Sequence, residues 1–307
     1  MLLRPDRLAF VALLLAMACL AQGCAPRPFL WQLEGEKPSY LFGTIHLPDK
    51  RVLDLPPSVT DAFTASDAVY TEIPMDLATQ LKISASILLP EGETLDELVP
   101  EDLMLRATAY VESRGRDMDL FQGFTIWSFM MQLALLDNLD RYTQATPMDF
   151  SFYQDAVAGG KQAGGLETVE EQLGVFSSLS AAEQSELLGQ TLDYLETLDE
   201  IGGETTAADA VVQLYLDGNL DALHGELMAQ TGPETATTVK FSRLLLEDRN
   251  TRMAARIAEH LTRDPDKGFF FAVGALHMAG EDGLPALLKA RGFTLHRVSR
   301  RSPVPAR

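Results

Sequence analysis

Apolar and polar positions along the chain change period several times, and those changes mark out strands and helices. Short apolar runs at 29–34 (FLWQLE) and 39–46 (SYLFGTIH), separated by GEKP, predict two strands joined as a hairpin. DAVYTEIP at 67–74, rich in β-branched and aromatic residues and stopped by Pro74, predicts a third strand. After LPEGETLDELVPEDL the pattern turns helical. Residues 120–140, LFQGFTIWSFMMQLALLDNLD, are apolar nearly all round and predict one helix buried within the fold. KQAGGLE (161–167) reads as a short strand leading into a helix at TVEEQL, where Thr168 and Glu171 form a capping box. Ser180 and Glu183 repeat that signature, and Gly202-Gly203 divides two acidic amphipathic helices. FSRLLLEDRNTRMAARIAEHL (241–261) predicts a single helix with Leu246, Met253, Ile257 and Leu261 along one face. GFFFAVGAL (268–276) is apolar throughout, as expected of a central strand covered on both faces. A helix at GLPALLKARG and a last strand at FTLHRVS follow. Strands near both ends with a largely helical middle region give an α/β or α+β architecture.

Two of these apolar runs end alike, in Gly43-Thr44-Ile45-His46 and in Gly274-Ala275-Leu276-His277. Alternation within a strand puts His46 on the face of Thr44 and Phe42, and His277 on that of Ala275 and Val273. An imidazole closing an apolar strand lies at the rim of a sheet, where α/β proteins place their sites. The glycine three residues earlier allows a ligand or a neighbouring backbone to approach closely. One such histidine could simply close its strand with a hydrogen bond; the matched pair suggests a weak twofold plan in which each half presents an imidazole.

A histidine pair needs carboxylates to hold a cation firmly. Glu72 ends the strand AVYTE in an apolar setting, where an ionised carboxylate needs a metal or an arginine as partner. Glu167 ends its strand just before the Thr168 cap, and the helix N-terminus there could hold its charge structurally. Asn250 falls on the stripe Leu246, Asn250, Met253, Ile257, and Arg249 flanks it. A buried amide there must be hydrogen-bonded, and the arginine could bind substrate or form a surface ion pair. Asp149, after Pro147, reads as a helix N-cap. His224, His260 and His296 read as structural. H-E-x-x-H, G-x-S-x-G, Walker and G-x-G-x-x-G motifs are absent, which removes common zinc-protease, serine-hydrolase and nucleotide-enzyme readings.

Composition alters the picture mainly at the N-terminus. With 25 Lys and Arg against 44 Asp and Glu the net charge is −19, which argues against nucleic acid or anionic lipid as the main partner. Residues 1–23 differ from the rest: Arg4 and Arg7 precede an apolar stretch, Leu8 to Leu20, and small residues follow, as in an export signal. LAQGC (20–24) resembles a bacterial lipobox, with Ala21 where Leu is usual, making Cys24 the expected lipidation site; ordinary signal cleavage is the alternative. Ala25 after that cysteine fits outer-membrane sorting, so a periplasm-facing lipoprotein or a soluble periplasmic protein is expected. The two cysteines, Cys19 and Cys24, both lie at this signal, leaving no disulfide framework, thiol nucleophile or cysteine zinc site. The expected organisation is a signal at 1–23, one domain over 24–300 and a loose tail at 301–307.

LFGTIHLPD, VYTEI, GKQAGGLETVEEQL, LLEDRNTRMA and FFAVGALHMAGEDGLPALLKARGF together resemble the TraB/PrgY/GumN family, which includes the Tiki metalloproteases, from about residue 29 to 299. The resemblance implies a mixed sheet flanked by helices, shared with erythromycin-esterase and ChaN-like proteins. The Tiki branch implies a metal-dependent hydrolase acting on peptides with Mn²⁺ or Co²⁺. His46, Glu72 and His277 fall on the family's presumed site positions, and Glu167, Arg249 and Asn250 on its other recurrent polar positions.

The leading expectation is an exported metallohydrolase in which His46, His277 and Glu72 hold one divalent ion. Glu167 would complete the ligand shell or act as base, Arg249 would stabilise a developing oxyanion, and Asn250 with Arg249 would contact substrate. Mixed imidazole and carboxylate ligands suit Mn, Co or Zn alike. A peptide or small molecule is the expected substrate; oligomeric state stays open. Two other readings remain: a peptide-sequestering envelope protein that uses the cleft without turnover, and a metal-free esterase-like hydrolase with His46 as general base.

Overall fold

The computed structural model describes residues 28–138, 145–201, 206–230 and 232–298. The expected export signal, Cys24, the Gly202-Gly203 divider and the tail at 301–307 lie outside these residues. Among the described residues no helix is long and apolar enough to cross a membrane.

Six strands form one mixed sheet: β1 (Leu30–Leu33), β2 (Ser39–Thr44), β3 (Ala68–Thr71), β4 (Gln162–Gly165), β5 (Phe269–Gly274) and β6 (Leu295–Arg297), in spatial order β4-β3-β5-β2-β1-β6. The expected hairpin is present, β1 antiparallel to β2 with Leu30 opposite Phe42. β4, β3, β5 and β2 run parallel, so their C-terminal ends lie along one edge in that order. The central place expected for the 268–276 run is borne out: all six residues of β5 are buried between β3 and β2.

The helices that matter are α1 (Pro57–Ala65), α2 (Glu101–Ser113), α3 (Ile126–Leu135), α4 (Met148–Ala158), α5 (Val169–Ser177), α6 (Ala181–Ile201), α7 (Ala207–Asp217), α8 (Leu220–Ala229), α9 (Ala236–Ser242), α10 (Asp248–Arg263) and α11 (Leu284–Ala290). Alternation along β5 sends Phe270 to one face, where it meets Phe63 of α1 and Phe152 of α4. Phe269 and Phe271 point to the other, where Tyr70 and His260 of α10 lie tilted against them. The sheet is therefore covered on both sides, as a run of continuous apolar residues requires. A second hydrophobic core lies wholly among helices, with Ala107 of α2, Phe129 of α3, Leu188 and Leu192 of α6 and Phe241 of α9 inside it. Trp127 stacks on Phe176 at 4.4 Å, joining α3 to α5.

Both capping boxes form: Glu171 N–H donates to Thr168 Oγ1 at 3.2 Å and Glu183 N–H to Ser180 Oγ at 3.3 Å. Three expectations fail. The 120–140 run is broken: a 3₁₀ turn at Met118–Phe121 and the Gly123–Thr125 bend precede α3, and Met131 is 48% exposed. The helix expected at 241–261 begins earlier as α9 and widens into a π-turn at Arg243–Glu247 before α10. Its stripe survives, since Leu246, Asn250, Met253 and Ile257 are all buried. Asp149 is not an N-cap: Pro147 holds that position, and Asp149 lies in the first turn with its side chain buried.

The helix–helix junction behind the sheet edge is held by Arg256, which donates to both oxygens of Glu171 at 2.7 and 2.8 Å. These bonds, with the Thr168 N–H, draw Glu171 down to about 2. An unfolded glutamate titrates near 4.3, so the pair's contribution is complete above that value and is lost as pH falls from there through about 2. Allowing for solvent screening at a side chain 29% exposed, Glu171→Gln is expected to cost about 1 kcal/mol near neutrality and next to nothing well below about pH 2. Urea denaturation of both proteins at several pH values checks this; a pH-independent difference would contradict it.

Candidate metal and catalytic site

The C-terminal ends of the four parallel strands deliver the predicted residues in order along the edge: Glu167 two residues beyond β4, Glu72 directly after β3, His277 after β5 and His46 after β2. Neither histidine belongs to its strand. His277 sits in a 3₁₀ turn, Ala275–Met278, and His46 two residues past Thr44, because each chain must leave the sheet to turn its ring across the edge. The glycines behave as expected of close-approach positions. A Cβ on Gly43 would come within 2.7 Å of the Phe29 Cβ, and one on Gly274 within 3.0 Å of Glu72 Oε1 and 3.3 Å of His46 Nε2.

Glu72 is the hub. Its Oε1 accepts the Gly274 N–H at 2.7 Å; its Oε2 accepts Arg249 at 2.6 Å and Gln172 at 2.9 Å. His46 Nε2 and His277 Nε2 both face Oε1, at 3.6 and 3.9 Å. Burial by itself would raise Glu72; the Arg249 charge and the imidazoles beside it outweigh that and hold the carboxyl well below its ordinary range.

The far nitrogen of each ring is tied. His277 Nδ1 lies 2.6 Å from Asn250 Oδ1, while Asn250 Nδ2 donates to the Asp282 carbonyl at 2.8 Å. That assignment leaves the amide oxygen facing the ring, so Nδ1 carries the proton and Nε2 presents a lone pair. Burial, with Arg249 and His46 acting against the pull of Glu72, pushes His277 down to about 3, so the ring is neutral at ordinary pH. His46 Nδ1 is 2.9 Å from Asp149 Oδ2, and Thr44 Oγ1 donates to Asp149 Oδ1. The Asp149 charge comes first in drawing His46 well above its ordinary range, against burial. Its side chain is 60% exposed to the cavity, so water there screens that pull.

Two expected roles do not match the geometry. Glu167 is 0% exposed, and both its oxygens are taken: Oε2 by Arg249 at 2.8 Å, Oε1 by Arg252 at 2.5 and 2.9 Å. With no lone pair turned to the cavity it can neither complete a ligand shell nor act as base. Asn250 touches His277 and Asp282 and does not line the cavity, so it positions a histidine and does not contact substrate. Arg249 does line the cavity, but its guanidinium is committed to Glu72 and Glu167. The geometry also adds residues that sequence reasoning missed as site members. Asp149 resembled any carboxylate in a helix first turn, and Gln172 any polar residue of α5; neither carries a signal without its partner.

A cation fits the donor chemistry here. Nε2 of neutral His277 and the Glu72 carboxylate are electron-rich atoms turned towards each other, an arrangement that a metal ion or a proton on His46 neutralises. Both rings have their Nδ1 held by an oxygen, the support that metal-bound imidazoles normally have. The spacing is loose: ligands of a tetrahedral ion at about 2.0–2.1 Å stand about 3.3 Å apart, against 3.6 and 3.9 Å here. Among the described residues no three His, Cys, Asp or Glu side chains already stand at metal-holding spacing. Closing the gap needs shifts of a few tenths of an ångström. The site opens onto a cavity of about 460 Å³, walled mainly by apolar side chains.

The TraB/PrgY/gumN family model matches residues 29–297. The metalloprotease TIKI2 of Danio rerio is 30% identical over 90% of this chain and 62% of its own length. Metalloprotease TIKI1 of Homo sapiens is 29% identical over 90% of the chain and 63% of its own. The uncharacterized protein YbaP of Shigella flexneri is 25% identical over 84% of the chain and 90% of its own length. The chain thus spans less than two thirds of the length of these two Tiki proteins. No solved structure matches it. With the match running from before β1 to the end of β6, and so across every strand that feeds the site, the chain belongs to the TraB/PrgY/gumN family.

Proposed function

We propose that the protein is a divalent-metal-dependent hydrolase of peptide bonds, with His46, His277 and Glu72 as the ion's protein ligands. The observation that carries this is the convergence of two Nδ1-anchored imidazoles on one Glu72 oxygen at the polar end of an apolar cavity. Relatives named metalloproteases support it. When bound, such an ion supplies Lewis acidity to a carbonyl and makes water acidic enough to ionise near neutrality. The chain's own residues do the rest. Asn250 and Asp149 orient the two rings, and Arg249, Gln172 and the Gly274 N–H fix the Glu72 carboxylate.

A peptide-library digest tests the proposal. Cleavage is expected only with added Mn²⁺, Co²⁺ or Zn²⁺, to vanish on chelation and to return with the ion. Gly274→Ala, which puts a methyl group among Glu72, His46 and His277, should lower it about a hundredfold. The 2.9 Å His46–Asp149 pair also favours a second reading, a metal-independent hydrolase with His46 as general base. Turnover that survives exhaustive chelation would select it over the first.

A further inference from the structure

We infer that the cavity takes a peptide segment bearing large uncharged apolar side chains next to the bond presented to the site. That a bond is presented for cleavage rests on the hydrolase reading; the preference for apolar residues rests on the cavity alone. At about 460 Å³ the cavity is within the range of ligand sites, about 300–1,000 Å³, and far exceeds what an ion and its waters need. Its charged groups are gathered at the strand ends, while Met131, Leu135, Phe176, Val211, Leu227 and Leu246 supply apolar wall from α3, α5, α7, α8 and the π-turn, to which Gln172 and Gln230 add two amides. The charged lining residues are Glu72 and Arg249, with the two imidazoles beside them. Arg249 serves two carboxylates and Glu72 accepts three donors, and both stand with the two imidazoles at the strand ends. An ionised side chain set against the apolar wall would lose its hydration and find no charged partner there. A leucine or phenylalanine would remove both its own apolar surface and the wall's from water.

End-blocked octapeptides test this, with Ser and Gly flanks and a central Leu-Leu, Phe-Phe, Gly-Gly, Asp-Asp or Lys-Lys pair, titrated calorimetrically into the full chain with and without Mn²⁺. Leu-Leu and Phe-Phe are expected to bind at least about tenfold tighter than the other three. Met131→Asp and Ala134→Trp, at cavity-lining positions that are not buried, should each reduce that margin several-fold. Equal affinities, a preference for a charged pair, or no Leu-Leu binding up to millimolar concentration would overturn the inference. Tighter binding of p-nitrophenyl octanoate than of any peptide would overturn it in favour of acyl chains. If Leu-Leu binds selectively but no ion supports cleavage, the hydrolase reading fails and this one stands. If peptides are cut without regard to the central pair, this one fails alone.

Discussion

His277→Ala is expected to lower ion-dependent peptide hydrolysis by at least about a thousandfold, close to 4 kcal/mol of transition-state stabilisation. The ring supplies one of the two imidazole nitrogens facing Glu72 Oε1, and its neutral state makes it a ready lone-pair donor at ordinary pH. Without it the ion keeps two protein ligands, and stoichiometric Mn²⁺ binding, read by calorimetry, should weaken at the same time. Asn250→Ala separates positioning from ligation. That change removes the Nδ1 anchor and the bond to the Asp282 carbonyl but no proposed ligand, so the loss should be about 10–100-fold in ion affinity or rate. A folded His277→Ala protein with near-native, ion-dependent turnover would rule out the proposed ligand set.

The largest stability effect is expected at Arg249. Its guanidinium, 5% exposed, bridges Glu72 and Glu167, themselves 4% and 0% exposed. Arg249→Met should destabilise the protein by about 3–5 kcal/mol, because an uncompensated buried carboxylate costs more than the pair contributes. Arg252→Met should cost only about 1 kcal/mol, since Arg252 is 30% exposed and Glu167 would keep Arg249. Adding Glu72→Gln to Arg249→Met removes the stranded charge and should recover part of the loss. Guanidinium unfolding midpoints of the three variants check the ranking. A cost below about 1 kcal/mol for Arg249→Met would show that water reaches these carboxylates and that the cluster is not dry.

Much of this architecture was legible beforehand because it is local. The hairpin, the central β5 run and both capping boxes depend on residues within a few positions of each other, and periodicity or capping chemistry reports them directly. The Gly-x-x-His endings were also readable, since an imidazole closing an apolar run is anomalous on any fold. Less visible was the break before α3, where the apolar pattern continues through Phe124 although the backbone bends at Gly123. The π-turn at Arg243–Glu247 left the buried stripe intact and so gave no sign of itself.

The sequence by itself determined which side chains are polar where apolar ones are expected: His46, Glu72, His277, Arg249 and Asn250. Only the tertiary structure decided what each one does, because a role depends on which atoms face it. Parallel pairing of β4, β3, β5 and β2 set Glu167, Glu72, His277 and His46 along one edge. Packing then gave Glu167 to two arginines, turned Asn250 onto His277, and brought Asp149 from α4 beneath His46. Those partners lie 27 to 103 residues apart in the chain. At such separations no local preference couples one residue to another, and the free energy of burying their charges together is what selects the arrangement.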